Sequence, residues 1–339
     1  MTGQPMSRLR GQPMSRLRGQ PMSRLRGQPM SRLRANALLL LAALIWGSAF
    51  VGQSLGMAGV GPLTFTGVRF VLGTLVVSPL AWREWQRLRA AGQLPGRSEW
   101  RWVLLLGSLL CSGVVMQQIG LLTTSVTNAG FLTALYVPLV PLLAWVFQRQ
   151  RPHWSVWPAA AGCLAGTWLL TGASLQSLAA GDWWVLASAL PWAVHVLLVG
   201  QVANKIRGAY LLACGQFAVC ALASGGLGLA TETVNPDGLS AAAGAIAYTG
   251  ILSVGVGFTL QVIAQRDAHP ADAAIILSSE TVFAALFGAA LMGDRLSLSG
   301  LAGCALILAC ILAVQVLPLL HQRWANRQIA ADRTASHCP

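Results

Sequence analysis

The stretch NALLLLAALIWGSAFVGQSLG, residues 36–56, decides the fold of this chain. It carries no charged side chain, and Arg32 and Arg34 lie directly before it. A helix of about 20 apolar residues crosses the roughly 30 Å of hydrocarbon in a bilayer. The stretch therefore predicts a membrane-spanning helix, and its positive flank marks the side of the membrane from which the helix starts.

Nine further apolar segments follow, most of them joined by short links. The composition agrees, because 55% of the 339 residues are hydrophobic and 10% are charged, whereas about 25% are charged in soluble domains. We therefore predict an all-α integral membrane protein with ten transmembrane helices. The predicted spans are residues 36–56, 62–82, 102–122, 127–147, 155–173, 182–202, 208–229, 239–264, 271–292 and 298–319.

The basic residues collect on one side of this topology. Of the 23 Lys and Arg residues, 21 lie in the two tails or in alternate links, Arg295 lies on the other side and Arg69 lies within a span. Cytoplasmic links retain Lys and Arg because these charges resist translocation. Arg is in large excess over Lys, and Ala and Gly are frequent, which is typical of GC-rich bacterial genomes. We expect a multi-pass protein of the bacterial inner membrane with both termini in the cytoplasm.

The net charge of +13 does not indicate a nucleic-acid partner. The basic residues lie in short segments beside the membrane, where topology and attraction to anionic lipid explain them. We therefore expect the lipid bilayer, and no nucleic acid, as a partner. Six of the seven Cys lie in apolar segments and none forms a CxxC pair, which predicts packing residues and neither a disulfide, a metal site nor another cofactor.

Residues 3–34 are four identical copies of GQPMSRLR. The copies have no apolar face at helical spacing, so we expect residues 1–34 to form a disordered cytoplasmic arm. One interpretation is a polybasic arm that binds lipid. The interpretation that we favour is a recent duplication, or translated sequence upstream of the true start, because perfect identity leaves little time for function. Met30 is then the alternative start.

The two halves of the chain resemble each other at nearly constant offsets. A shift of 146 residues aligns Trp46 with Trp192, and a shift of 144 aligns Asn128 with Asp272. Each match is weak by itself, but their order is kept along the chain. The matches predict an internal repeat.

The repeat divides the chain into a first half at 35–174, a second half at 180–319 and a cytoplasmic tail at 320–339. Each half holds five predicted spans. Because five is odd, the second half enters the membrane inverted. Inverted repeats are the architecture of alternating-access transporters, which bind substrate between the repeats near the membrane midplane.

Three stretches resemble a known family. They are ALIWGSAFVGQSLG at 43–56, TFTGVRFVLG at 64–73, and SSETVFAALFGAALMGDRLSLSGLAGCALILA at 278–309. They are similar to the first, second, ninth and tenth helices of EamA-type carriers in the drug/metabolite transporter superfamily. Thr281 stands where the family has Pro, and Asp294 where it has Glu. The resemblance implies ten helices in two EamA repeats and transport of small metabolites or drugs, in much of the family amino acids or related compounds.

Glu280 is the most informative single side chain. It lies near the centre of span 9, about 15 Å from either end at a rise of about 1.5 Å per residue. A charged carboxylate at that depth costs roughly 2.5–3.5 kcal/mol on insertion scales, so it faces protein or a water-filled cavity. One interpretation is proton coupling or contact with a cationic substrate group. The other is a protonated side chain bonded to Ser278, Thr281 or a neighbouring helix.

Arg69 is the other charge inside a span. It either reaches the interface by snorkelling, binds backbone carbonyls or contacts a substrate carboxylate. Buried amides and aromatic side chains complete the candidate set, because buried polar groups need partners and the paired Trp residues are placed to wall a cavity. The substrate-binding candidates are Trp46, Arg69, Gln118, Asn128, Tyr136, Trp192, His195, Gln261 and Glu280, and Glu280 is also the candidate for proton coupling.

Proline and glycine mark special places in the spans. Pro138 and Pro141 are expected to interrupt span 4, and Pro191 to interrupt span 6. Interrupted helices expose carbonyls to a substrate. Gly162 and Gly166 form a GxxxG on span 5, which predicts close helix packing within one chain or in a homodimer.

The spans and the inverted repeat predict a secondary transporter that works by alternating access, with possible proton coupling at Glu280. The family resemblance implies that it exports small metabolites, amino acids or related compounds. The sequence holds no catalytic or nucleotide-binding motif, so we expect no enzyme. A sugar-phosphate or nucleotide-sugar exchanger of the same superfamily is an alternative, but it would need more cavity cations than Arg69. A channel and an intramembrane enzyme are alternatives from other classes, and for the enzyme Glu280 has no evident partner.

Reporter fusions test the predicted topology. We expect cytoplasmic signals from fusions after Arg327 and within the 83–101 link, and a periplasmic signal from the 231–238 link, because the basic residues lie on the first side. A periplasmic signal after Arg327 would contradict the ten-span count.

Overall fold

The computed structural model describes residues 30–124, 126–149, 151–170, 179–292 and 297–335. The tandem octapeptides before Met30 lie outside this part of the chain, as does Arg295. Residues 31–339 belong to one compact unit.

Every regular element in the described ranges is helical, which confirms the all-α prediction. Two segments have π-helical geometry and are named π1 and π2. The elements are α1 (Arg32–Gly56), α2 (Pro62–Ala90), α3 (Arg97–Gly120), α4 (Val126–Ala134), α5 (Tyr136–Gln148), α6 (Val156–Leu170), α7 (Ala180–Val202), α8 (Ala209–Thr231), α9 (Pro236–Ala241), α10 (Ala243–Tyr248), π1 (Thr249–Phe258), α11 (Thr259–Ala264), α12 (Pro270–Leu277), α13 (Glu280–Phe287), π2 (Gly288–Met292) and α14 (Leu298–Ala335).

Seven helical segments in the described residues are long and apolar enough to cross a membrane, and two further apolar helices are shorter. The seven are α1, α2, α3, α7, α8, the run Ala243–Ala264 and the run Pro270–Met292; the shorter ones are Leu132–Gln148 and Leu298–Ala313. A multi-pass membrane protein follows from these segments. The prediction of ten spans is finer than this count, because the seven segments do not include α6, α14 or the pair α4 and α5.

Helix α2 is longer than its predicted span of 62–82. Its 29 residues extend over about 43 Å at 1.5 Å per residue, against roughly 30 Å of hydrocarbon. The excess carries Arg83, Arg87 and Arg89 past the apolar part of the helix, and all three side chains are exposed. Much of the predicted 83–101 link is therefore helical.

The basic links lie together at one end of the helices, which we call the Arg32 end. They include the start of α1, the end of α2, and the links 203–208 and 265–269. The contacts that join them are Arg32 with Asp272 at 3.0 Å, Arg266 Nε with the Ala203 carbonyl at 3.0 Å, and the Ala209 N–H with the Glu84 carboxylate at 3.1 Å.

The other links lie together at the opposite end, which we call the Asp182 end. There the Thr124 hydroxyl donates to Asp182, and the Leu63 N–H donates to Glu232 at 2.9 Å. The described links that these contacts join thus alternate between the two ends, as the alternation of basic charge predicts.

The antiparallel pair α2 and α8 forms the most extensive interface between described helices. Glycine permits this approach. A Cβ on Gly67 would lie 2.6 Å from the Gly225 Cα, closer than real Cβ atoms come to backbone. The two helices therefore touch backbone to backbone near the start of α2 and the end of α8.

The GxxxG of span 5 packs inside the chain. A Cβ on Gly166 would lie 2.7 Å from the Gly303 carbonyl oxygen, and Gly162 faces Cys310, both on α14. Of the two predicted uses of this motif, the structure shows the one within a single chain.

The helix breaks differ from those predicted at proline. Helix α7 runs through Pro191 without interruption, and span 4 breaks at Leu135, before Pro138. Span 9 also breaks, at Ser278 and Ser279, whose hydroxyls donate to the Ile275 and Ile276 carbonyls at 2.7 Å. Side-chain hydroxyls that bond to preceding carbonyls compete with the helical ladder. Under the 144-residue shift, Leu135 corresponds to Ser279, so the two breaks are repeat mates.

Replacing Gly67 with Ala tests the close α2–α8 contact. We expect Gly67→Ala to destabilise the protein by about 1–3 kcal/mol, because the added methyl group meets the backbone at Gly225. Gly226→Ala is the matched control, since its Cβ would meet nothing within 4 Å. Thermal unfolding in detergent measures both variants, and equal melting temperatures would contradict the interpretation.

Candidate functional site

A cavity lies between the two halves of the chain. Ligand sites are commonly concave and largely apolar, with a few convergent polar groups. Both halves contribute to this cavity. The lining residues are Trp46, Phe50, Gln53, Arg69, Val114, Gln117, Thr133, Tyr136, Trp192, Val196, Ser253, Phe258, Gln261, Leu277 and Glu280.

Three aromatic rings form one wall of the cavity. Phe258 contacts both predicted wall residues, Trp46 with ring centroids 4.6 Å apart and Trp192 in a stacked pair at 6.0 Å. The Trp46 indole N–H donates to the Ser253 carbonyl of π1 at 3.2 Å. Gly257 makes room for this ring, because a Cβ there would lie 2.6 Å from the Trp46 Nε1. The wall is therefore fixed by packing and by one hydrogen bond.

Glu280 stands at the first position of α13, directly after the break in span 9. Its side chain is 6% exposed and forms no hydrogen bond or ion pair with any described residue. Gly47 brings α1 against this position, since a Cβ on Gly47 would lie 2.6 Å from the Glu280 carbonyl oxygen. The carboxyl group thus reaches the cavity with its hydrogen-bonding capacity unused by the described protein groups.

Tyr136 is the repeat mate of Glu280 and begins α5, directly after the break in span 4. Its hydroxyl donates to the Ala274 carbonyl at a long 3.5 Å. Both broken helices therefore present the first residue of their second half to the cavity. Broken helices at the membrane midplane are a recurring way in which transporters build a substrate site.

Arg69 lies on α2 and is 3% exposed. Its guanidinium group sits over the rings of Phe65 and Phe70, with centroid distances of 5.6 and 5.5 Å. The Nε atom has no hydrogen-bond partner among the described residues. Within the described ranges, Arg69 neither snorkels to the interface nor bonds to a backbone carbonyl, and is a buried cation held by aromatic faces at the cavity.

The cavity therefore holds a cation and a carboxyl group that are not paired with each other. A buried charge without a partner is costly. A ligand that carries both an anionic and a cationic group can satisfy both at once. The cavity is chemically suited to a small zwitterion.

Amide side chains supply further polar groups. Gln53 and Gln261 each have a buried side-chain oxygen without a partner among the described residues. Gln117 donates to the Thr133 hydroxyl at 2.8 Å. The two unpaired oxygens are acceptors that a ligand N–H or ammonium group can use.

Six of the nine predicted site residues line this cavity: Trp46, Arg69, Tyr136, Trp192, Gln261 and Glu280. Gln118 and His195 are buried elsewhere. The Gln118 amide contacts the Met57 sulfur at 2.8 Å, and His195 Nε2 bonds with the Gln216 amide oxygen at 2.7 Å. Asn128 lies in α4, and its side chain is outside the described part of the structure.

Sequence reasoning missed Gln53, Ser253 and Phe258 as lining residues. A signal existed for Gln53, because it follows Trp46 by seven residues and so shares its helix face. Phe258 gave no such signal, because it lies in π1, where the rotation per residue differs from that of an α-helix.

A helical membrane bundle with a central cavity between its two halves is an architecture that membrane transporters use. The chain belongs to the EamA-like transporter family, which matches residues 33–172 and again residues 179–315. This match confirms the family resemblance found in the sequence and the two-repeat organisation of the membrane part.

Curated relatives agree with this assignment. An uncharacterized transporter of Archaeoglobus fulgidus is 26% identical over 285 residues, which cover 83% of this chain and 86% of the relative. The uncharacterized transporter YwfM of Bacillus subtilis is 25% identical over 295 residues, which cover 84% of this chain and 94% of the relative. A solved crystal structure superimposes with a TM-score of 0.66 at 22% identity, over 85% of this chain and 99% of the other, and this likeness concerns the fold alone.

Proposed function

We propose that this protein is a secondary transporter that exports small zwitterionic metabolites of the amino-acid type by alternating access. One observation carries the proposal: Arg69 and Glu280 line the same cavity and neither pairs with a described residue. The family and its transporter relatives support transport, and the cavity chemistry supports the substrate class.

In this proposal Arg69 and Glu280 bind opposite charges of the same substrate. Arg69 would bind the substrate carboxylate, since a guanidinium group donates several N–H bonds to an anionic oxygen pair. Glu280 would bind the ammonium group, assisted by the free amide oxygens of Gln53 and Gln261. Trp46, Tyr136 and Trp192 complete our proposed substrate contacts. Gln118, Asn128 and His195 remain candidates from the sequence that the described cavity does not include.

The proposed architecture is ten helices in two inverted five-helix repeats. The pair α4 and α5, the run 236–264 and the run 270–292 each count as one crossing. With α1, α2, α3, α6, α7, α8 and α14 they give ten. The alternation of links between the Arg32 end and the Asp182 end supports this count. The family match in two segments supports the repeat boundaries at 35–174 and 180–319.

We place the Arg32 end in the cytoplasm of a bacterial inner membrane. The link 83–101 carries five Arg residues and belongs to this end. Retention of such links on the cytoplasmic side supports the orientation. Both termini then lie in the cytoplasm.

Glu280 is the proposed coupling group. Its burial makes the charged form costly unless a cation is bound. When the cavity opens to a more acidic periplasm, protonation is favoured and the substrate ammonium loses its partner. When the cavity opens to the cytoplasm, the proton leaves and the carboxylate binds substrate again. This cycle lets the proton gradient drive export.

The alternatives have less support. A sugar-phosphate or nucleotide-sugar exchanger must neutralise two or more negative charges, and among the described lining residues Arg69 is the one cation. An intramembrane enzyme finds no support in the relatives, which are named as transporters. Saturable counterflow distinguishes a transporter from a channel.

Substrate analogues test the proposed charge pairing. In proteoliposome counterflow we expect amino acids to exchange at least about tenfold better than analogues that lack the carboxylate or the ammonium group, because either loss leaves one buried charge unpaired. Arg69→Gln should abolish the preference for the carboxylate. Arg87→Gln, exposed on the extension of α2, is the control and should behave like the parent. Equal exchange of the amino acid and of both analogues would refute the proposal that the substrate is a zwitterion.

Glu280→Gln tests proton coupling. The amide keeps the size and some hydrogen bonds of the side chain but cannot titrate. We expect gradient-driven accumulation to collapse while protein levels hold and some counterflow survives. Asp237→Asn, an exposed carboxylate at the Asp182 end, is the matched control. If Glu280→Gln accumulates substrate as well as the parent, Glu280 has a structural role only.

A further inference from the structure

No side chain at the N-cap position of α2 caps the start of this helix. Gly61 stands at its N-cap position and supplies no side chain. The carboxylate of Glu232, at the end of α8, takes this role and accepts the Leu63 N–H at 2.9 Å and the Thr64 N–H at 2.8 Å. A carboxylate at a helix N-terminus satisfies free N–H groups and opposes the helix dipole.

Helix α8 begins in the same way. Gly208, with a positive φ of 122°, stands at its N-cap position without a side-chain cap. The carboxylate of Glu84, near the end of α2, accepts the Ala209 N–H at 3.1 Å and the Leu211 N–H at 2.9 Å. Each of the two helices therefore carries, near its C-terminal end, the cap of the other.

The two caps are repeat mates. A shift of 148 residues aligns Glu84 with Glu232 and also Leu63 with Leu211. Both N-cap positions hold Gly, and a Cβ on either glycine would overlap the carboxyl group that caps it. Neither carboxylate forms an ion pair with a described Lys or Arg. Both are thus committed to the backbone of the opposite repeat, and we call this pair of contacts the reciprocal clamp.

We propose that Glu84 and Glu232 are positioning residues of the transport cycle, which hold α2 and α8 as one fixed pair while the cavity opens at alternate ends. This inference rests on the proposed alternating access. Helices α2 and α8, of which α2 carries Arg69, would then stay fixed relative to each other while the other helices move.

The reason is symmetry. In a carrier built from two inverted repeats, one open state converts to the other when the repeats exchange conformations. In this exchange each contact takes the place of its repeat mate. When a contact and its repeat mate are both present in one open state, both are therefore present in the other state as well. Both halves of the clamp are formed in one structure, so no half needs to break for the other to form.

The ion pair between Arg32 and Asp272 provides the contrast. It joins the start of α1 to the start of α12 at 3.0 Å, and so links the two repeats at the Arg32 end. The repeat mate of Asp272 is Asn128, which carries no charge. This ion pair has no charged counterpart at the other end, so the symmetry of the two repeats does not preserve it. We expect the two side chains to separate when the Arg32 end opens. We call this ion pair the latch.

Distance measurements between pairs of spin labels test the clamp against the latch. The full chain, with its native cysteines replaced, carries one exposed pair beside the clamp (Arg87→Cys and Lys205→Cys) or one beside the latch (Leu33→Cys and His269→Cys). Asp272→Asn removes the latch charge and favours opening of the Arg32 end. Pulsed electron paramagnetic resonance then gives both distance distributions in proteoliposomes.

We expect Asp272→Asn to shift the main distance across the latch and to leave the distance across the clamp unchanged. Glu84→Gln should broaden the clamp distance, which shows that the labels report on this contact. A clamp distance that shifts together with the latch distance in Asp272→Asn would overturn the proposal. The measurement needs no substrate, so a failure of the amino-acid assignment in counterflow does not affect it.

Discussion

The backbone of a membrane protein must find its hydrogen-bond partners within the protein. Each unsatisfied N–H or C=O group in hydrocarbon costs several kcal/mol, so the spanning segments are helices and irregular backbone occurs where protein or a cavity surrounds it. The same constraint acts at helix ends. Gly61 and Gly208 leave the first N–H groups of α2 and α8 uncapped, and carboxylates from the opposite repeat satisfy them.

This constraint also explains where the helices break. The interruptions at Leu135 and at Ser278–Ser279 occur beside the cavity, in repeat-mate positions. Hydroxyl groups of the serines bond to nearby carbonyls and so lower the cost of the break in span 9. The result is that Tyr136 and Glu280 reach the cavity from the start of a half-helix. Proline, the usual sign of a broken helix, is tolerated at Pro191 in the continuous α7.

Buried charge gives the cavity its chemical character. Arg69 rests on the faces of Phe65 and Phe70, which stabilise a cation without neutralising it. Glu280 remains without a described partner in the same cavity. If Arg69 and Glu280 had only a structural role, an ion pair between them would lower the cost of burying both charges. The two side chains form no such ion pair. The fold is shared by many transporters, so it is this arrangement of groups, and not the fold, that supports a substrate class.

Much of this protein could be predicted from the sequence. Hydrophobic length predicted the helical membrane fold, the distribution of Arg predicted which links share an end, and the near-constant offsets predicted the repeat. Glu280 and Arg69 stood out because a charge at membrane depth is costly in any arrangement. These properties depend on composition and on position along the chain, and each can be evaluated one segment at a time.

Other features depended on how the helices rotate and pack. A shift of 143 residues aligns Gln118 with Gln261, yet Gln261 lines the cavity and Gln118 contacts Met57. His195 turns to Gln216 on α8, and Phe258 reaches the cavity because π1 alters the helical rotation. The sequence alone determined that this chain crosses the membrane in two similar halves with two buried charges. The tertiary structure alone decided which side chains meet, because a small rotation of a helix about its axis changes which of its side chains face the cavity.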